Sequence, residues 1–412
     1  MSRQSAIVLG AGMVGVASAL HLVRRGWSVV LVDRREPGRE TSYGNAGIIQ
    51  SEAVRPYAMP RDLDSFVRIA TGRANEVRYR LMSLPHHVGP LLRYWWHSAP
   101  ARHRRITLAY AAIIAHATSE HDVLIRDADA GALVRHDGYR LLHRDRAALD
   151  EAVAIAEANR REFGVQFRVL TGRELAKAEP ILKDDLPGAI HWLDPWTVSD
   201  PGGLVAAYAN LFCRLGGTLL RGDAQALTQT SSGWTLATEA GRIDAEAAVV
   251  ALGPWSPDLL RRFGYGFPLV RKRGYHRHYR GGRTLDLPLV DPTFGYAMAP
   301  MADSLRITSG AELTSPEAAP TPVQLTRAEA VARELLDLGT AVETTPWCGT
   351  RPCTPDMLPV IGRATRHRGL WLNFGHGHQG FTLGPATGRL LSELMSGEAP
   401  AVDPSPYRPD RF

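Results

Sequence analysis

The sequence predicts an α/β protein with more than one lobe, on three observations. The chain has 412 residues, too many for one ordinary compact domain and enough to bury a large core. Its first 33 residues alternate short apolar runs with a helical stretch, in the order strand, turn, helix, strand. Further apolar runs, 248–252 and 370–374, each end in glycine-containing turns. Apolar residues make up 44% and charged residues 22%, which excludes a disordered, collagenous or disulfide-scaffold chain. The net charge of +6 is too small and too dispersed to imply a nucleic-acid partner.

The elements follow in order. Ala6-Ile7-Val8-Leu9 reads as a strand buried on both faces and leads into Gly10-Ala11-Gly12-Met13-Val14-Gly15. From Met13 to about Arg25 helix formers dominate, with Val14, Leu20 and Val23 near one face and Gly26 as the stop. Val29–Val32 is the second strand, closed by Asp33. The three glycines serve a tight turn, close approach of the backbone to a pyrophosphate, and close contact of helix on strand. The helix N-terminus offers unpaired N–H groups to the anion, and Asp33 accepts from a ribose hydroxyl. This is a dinucleotide-binding unit, though by itself it does not separate FAD from NAD. The glycines also argue against a secretory signal, and no apolar run is long enough for a transmembrane helix. Farther on, Pro201-Gly202-Gly203 opens a helix reaching Cys213 and Leu215, followed by a strand at 217–220.

Two compositional limits bear on chemistry. Only Lys177, Lys183 and Lys272 are lysines, so any Schiff base or ammonium-assisted step must use one of them. Cys213, Cys348 and Cys353 are too few for a disulfide framework and fit a cytoplasmic protein.

After Asp33 comes Glu40-Thr41-Ser42-Tyr43-Gly44-Asn45-Ala46-Gly47-Ile48-Ile49, a polar, glycine-punctuated loop where a nicotinamide enzyme would continue its strands and helices. Three other segments stand out: Ala248-Val249-Val250-Ala251-Leu252-Gly253-Pro254-Trp255-Ser256, Gly349-Thr350-Arg351-Pro352, and Gly375-His376-Gly377-His378-Gln379-Gly380-Phe381-Thr382. On these segments the chain resembles the D-amino acid oxidase-like family of FAD-dependent amine oxidoreductases, and within it the bacterial D-amino acid dehydrogenases.

The resemblance implies a Rossmann-like FAD-binding domain from residues 1–50, 195–265 and 345–412, and a discontinuous α+β substrate domain with a mixed sheet from 51–194 and 266–344. It implies non-covalent FAD, with Gly10, Gly12, Gly15 and Asp33 at the nucleotide and Thr41, Ser42, Asn45, Ala46 and Gly47 along the ribityl chain and flavin face. Gly253, Gly375, Gly377, Gly380 and Thr382 complete the cofactor set, with a helix starting near Thr382 whose dipole faces the flavin. Arg351 would hold the substrate carboxylate, since a planar fork of two donors suits it; as a bare residue it also fits a structural salt bridge. Tyr296 would add a hydrogen bond, and Tyr275 and His376 would line the substrate pocket. Arg306 would stand where secondary-amine oxidases carry an oxygen-activating lysine, which points to a dehydrogenase.

The implied reaction is oxidative deamination of a D-amino acid to a 2-oxo acid, with hydride passing from Cα to flavin N5 and electrons passing on to a quinone or other acceptor. The alternative substrates are glycine, sarcosine or a cyclic secondary amine such as proline or hydroxyproline.

Several patterns admit blander readings. His376 and His378 lack the supporting ligand spacing of a metal site. Cys348 and Cys353 read as packing residues. Arg271 to Arg283 holds six Arg or Lys, two His and two Tyr, but the rest of an RNA-recognition signature is absent, so no nucleic acid is expected and a solvated strand or loop lining the pocket is. From His86 to Ala117, Trp95 and Trp96 mix with arginines in a pattern suited either to internal packing or to peripheral contact on the inner face of the cytoplasmic membrane.

Overall fold

The computed structural model describes residues 3–62, 75, 77–79, 84–183, 186–315 and 318–412, and part of the expected substrate segment, 63–74, lies outside them. Ser5–Leu9, Met13–Arg24 and Ser28–Asp33 form the strand, helix and strand read from the sequence. The two strands sit centrally in a six-stranded sheet ordered 218–221, 28–33, 5–9, 247–250, 370–374, 360–363. All neighbours are parallel except Val360–Arg363, which runs antiparallel to Leu370–Phe374. Central strands of such a sheet are covered on both faces, which is why they are written in unbroken Ala, Val, Ile and Leu.

Alternate residues of these strands enter separate cores. Ala6, Val8, Val29 and Leu31 pack under helices, including Met13–Arg24, Pro201–Arg214 and Gly380–Ser396. Ile7, Leu9 and Val32 face Trp234 and Leu236 of a small three-stranded sheet. Met13–Arg24 and Gly380–Ser396 approach closely: a Cβ at Gly384 would fall 3.1 Å from the Met13 main-chain carbon, and one at Gly388 2.8 Å from that of Ala17. Two positions without side chains, one helical turn apart, thus bring both helix N-termini to the same edge of the sheet.

The second layer is an eleven-stranded mixed sheet organised around the twelve-residue strand Val270–Gly281. One edge of that strand pairs with Leu305–Ser309 and Ala311–Leu313, the other with Gly339–Ala341 and Trp347–Cys353. Two segments cross the domain bounds expected from sequence. Trp347–Cys353, expected with the FAD-binding segments, hydrogen-bonds along Val270–Cys353 to His276–Trp347 and so belongs to the large sheet. Helices Pro100–Ile114 and Ala117–Asp127, expected in the substrate domain, place Ile113, Ile114 and Leu124 in the core of Met13–Arg24 and Gly380–Ser396. Apolar faces are sorted by complementarity rather than chain order, so we draw the domain division by sheet and core. No helix among the described residues is long and apolar enough to cross a membrane.

Candidate active site

A cavity of about 330 Å³ lies where the two sheets meet, at the ends of the parallel strands. From the first sheet it is lined by Gly10, Gly12, Asp33 and Gly253, and from the second by Gly274, Tyr275, Thr308 and Arg351.

The nucleotide turn is built as its spacing requires. Gly10 leaves the first strand at φ +104°, and a Cβ there would lie 2.5 Å from the Ala251 carbonyl oxygen. Gly15 sits on the other side of the turn, its missing Cβ occupied by the Gly10 carbonyl, so it shapes the loop without lining the cavity. Gly12 caps the helix with no side-chain acceptor, and the first turn has no acid, which leaves the positive end of the dipole uncompensated. A Cβ on Gly12 would meet nothing closer than Ser42 Oγ at 3.3 Å and would project into the cavity instead. Asp33 accepts from Ala11 N–H at 2.7 Å and Arg35 N–H at 2.9 Å, which locks its carboxylate at the cavity wall.

The loop after Asp33 contains one short 3-10 turn, Thr41–Gly44. Ser42 Oγ accepts from Met13 N–H at 3.0 Å, tying this loop to the helix start, and Asn45 Oδ1 accepts from Gly47 N–H at 2.8 Å. Thr41, Ser42, Asn45 and Ala46 line the cavity, and Gly47 lies behind them. Buried Arg306 braces the loop from outside, donating through Nη1 to the carbonyls of Tyr43 at 2.8 Å and Asn45 at 2.6 Å, and through Nε to His278 at 2.9 Å. His278 is bonded in turn to Glu343. Burial lowers the Arg306 pKa to about 10. Arg306 is absent from the cavity lining and acts on the loop, which corrects its expected placement in the position of an oxygen-activating lysine.

From the C-terminal segment, Gly377 and Gly380 line the main cavity, while Gly375 lines only a smaller one beside it. Helix Gly380–Ser396 begins two residues before Thr382, whose buried Oγ1 accepts from Gln50 N–H at 3.1 Å rather than facing the cavity.

Of the four expected substrate residues, three line the cavity. Arg351 donates to the Gly310 carbonyl at 2.7 Å and the Ser309 carbonyl at 3.3 Å and has no carboxylate partner among the described residues, which removes the salt-bridge reading. Its guanidinium fills the space above Gly274, where a Cβ would come within 2.5 Å of Nη1. Tyr275 presents its ring, but its hydroxyl is committed to Glu312. His376 is bonded to Thr387 Oγ1 at 3.0 Å, and burial lowers its pKa to about 3, so it stays neutral. Tyr296 corrects the expectation: it is 3% exposed, packs in the core of the large sheet, and its hydroxyl lies 3.5 Å from Arg144 rather than at the cavity. The Arg271 to Arg283 stretch is likewise a strand whose two tyrosines are buried, not a solvated one.

The sequence carried no motif for Gln50 or Glu52. Gln50 lines the cavity and donates to Glu52 Oε1 at 3.0 Å, which also accepts from Tyr139 at 2.8 Å. Burial raises the Glu52 pKa from 4.5 to about 7. Between those values the folded protein keeps a proton that the unfolded chain has lost, so this stabilisation is complete below pH 4.5 and declines as pH rises toward 7. Denaturant titrations should show a loss on the order of 3 kcal/mol across that window, which Glu52→Gln flattens; an unchanged slope in the variant would assign it elsewhere.

A family model described as FAD dependent oxidoreductase, DAO, matches residues 5–394. The chain belongs to the DAO family of FAD-dependent oxidoreductases. A D-amino-acid oxidase of Bradyrhizobium diazoefficiens is 31% identical, over 98% of each chain. A D-amino acid dehydrogenase of Chromohalobacter salexigens is also 31% identical, over 97% of each chain. Among solved structures, glycine oxidase from Geobacillus kaustophilus shares the fold, with a TM-score of 0.73 at 23% identity, covering 99% of this chain and 98% of that one.

The cofactor of this DAO-family enzyme is FAD, and the residues present fit it. The helix start without an acid in its first turn, the open space before Gly12 and the locked Asp33 carboxylate suit a pyrophosphate and an adjoining ribose.

Proposed function

We propose that this enzyme oxidises D-amino acids to 2-oxo acids and ammonia, with electrons leaving through an acceptor such as a quinone. The observation that carries this reading is Arg351, a cation in the cavity wall whose partners among the described residues are two carbonyl oxygens. A carboxylate would complete it with two parallel charge-assisted hydrogen bonds. The relatives acting on D-amino acids support the configuration. FAD, when bound, supplies the acceptor for the two electrons that leave the Cα–H bond as the amine becomes an imine.

The protein's own contribution is orientation. Arg351 fixes the acid end, and Gly274 leaves room for the guanidinium to lie flat against the strand. His376 and His378 are held neutral, first by burial, and among the described residues no carboxylate stands beside Arg351. The substrate ammonium therefore gives its proton to water, and the neutral amine is the form oxidised.

The surface supports a peripheral site on the inner face of the cytoplasmic membrane, where a quinone would be met. On helix Leu84–His97, Leu92 is 63%, Trp95 44% and Trp96 54% exposed, with Arg61 3.8 Å above the Trp95 ring and Arg102 3.5 Å above that of Trp96. Aromatic rings under guanidinium groups suit a headgroup layer.

The reading is tested by mixing holoenzyme anaerobically with D-alanine, L-alanine, glycine, sarcosine and D-proline and following the flavin band near about 450 nm. D-alanine is expected to bleach it fastest. Bleaching by sarcosine or glycine alone would replace the proposed substrate class.

A further inference from the structure

The smaller cavity, about 60 Å³, adjoins the main one through His376, Gly377 and His378, which line both. Lys272, one of only three lysines in the chain, is in its wall. Lys272 stands directly opposite Arg351 in the antiparallel pairing of Val270–Gly281 with Trp347–Cys353. Directly opposed residues project from the same face of a sheet, so two cations leave it side by side.

Neither has an acidic partner among the described residues. The Lys272 ammonium rests 5.0 Å from the ring centroid of Tyr94, and among the described residues no Asp or Glu lines the small cavity. His378 lies near both cations: after burial, the charges of Arg351 and then Lys272 hold its pKa down. Two like charges set directly opposite one another, without an anion, are costly unless a ligand completes them. Arg351 alone accounts for one carboxylate.

We propose that Lys272 binds a second carboxylate, so that the preferred substrates are dicarboxylic amino acids held by Arg351 at one acid group and by Lys272 at the other. This rests on Arg351 holding the α-carboxylate, as proposed above. The second acid group could be carried on the side chain, as in D-aspartate and D-glutamate, or on the amine, as in iminodiacetate.

Holoenzyme is assayed with a dye acceptor against D-glutamate and D-glutamine, D-aspartate and D-asparagine, and iminodiacetate. Each acid is expected to exceed its amide in kcat/KM by about tenfold or more, because the amide keeps the shape and loses the charge. Lys272→Met should lower the acid-to-amide ratio by about tenfold to a hundredfold, and Lys272→Arg should preserve it. Flavin content reports that both variants fold. Calorimetry provides a readout without turnover: glutarate should bind more tightly than butyrate, and Lys272→Met should erase the difference. Faster turnover of iminodiacetate than of either acidic D-amino acid assigns the second carboxylate to the amine substituent. Amides used as well as acids, or a ratio unmoved by Lys272→Met, would overturn the inference while leaving D-amino acid oxidation intact. If no amino acid reduces the flavin, the proposed function fails and this inference with it.

Discussion

An Arg351→Leu enzyme is expected to retain its flavin and lose about a hundredfold to ten-thousandfold in kcat/KM for D-amino acids, the worth of two charge-assisted hydrogen bonds. The side chain reaches the cavity over Gly274, and what it gives up inside the protein is small, two contacts to main-chain carbonyls. Leucine therefore removes substrate anchoring more than it disturbs packing. Arg351→Lys should fall between the two, because an ammonium keeps the charge and loses the planar fork. Steady-state kinetics with a dye acceptor, paired with the visible spectrum of each variant, separate anchoring from cofactor loss. An Arg351→Leu enzyme with its colour and full kcat/KM would remove this residue from the substrate site.

A Gly15→Ala protein should emerge colourless and less stable by about 3 kcal/mol or more. The added Cβ would stand 1.7 Å from the Gly10 carbonyl oxygen and 2.8 Å from its carbon. Both are backbone atoms in the turn between strand and helix, so neither can rotate aside, and the loop must open where the pyrophosphate is received. Gly26→Ala is the matched control. Its φ is +84°, yet nothing lies within 4 Å of its Cβ, so only a conformational cost of about 1 kcal/mol is expected, with flavin retained. Flavin absorbance per protein and chemical denaturation measure both. A yellow, stable Gly15→Ala protein would show that the turn yields in a way its contacts do not suggest.

The first βαβ unit was legible because its information is local. Gly10, Gly12, Gly15 and Asp33 act through spacings that one turn and one helix impose, and each stands where the spacing requires. The same holds for the helix from Pro201 and the strand Leu370–Phe374. Tyr296 was not legible. Its strand, Tyr296–Pro300, is buried along almost its whole length, so no polar alternation marked which face meets the cavity, and the pairing of Tyr296 with Ser309 and Asp291 turned it away. The helix expected near Thr382 does begin there, at Gly380, but the partner of the Thr382 hydroxyl, the N–H of distant Gln50, was not legible.

Sequence by itself determined the nucleotide-binding turn and the acidic end of its second strand, because those depend on residues close together in the chain, and it determined the family, because each of the separated segments that carry the resemblance is a short motif legible on its own. Tertiary structure alone decided that Arg351 lies over Gly274, that Lys272 stands beside it, that Arg306 braces the loop at Tyr43 and Asn45, and that Tyr139 meets Glu52. Each of those contacts joins separate strands or loops through sheet register, and register is set by how whole faces bury their apolar residues, which no short run of sequence contains.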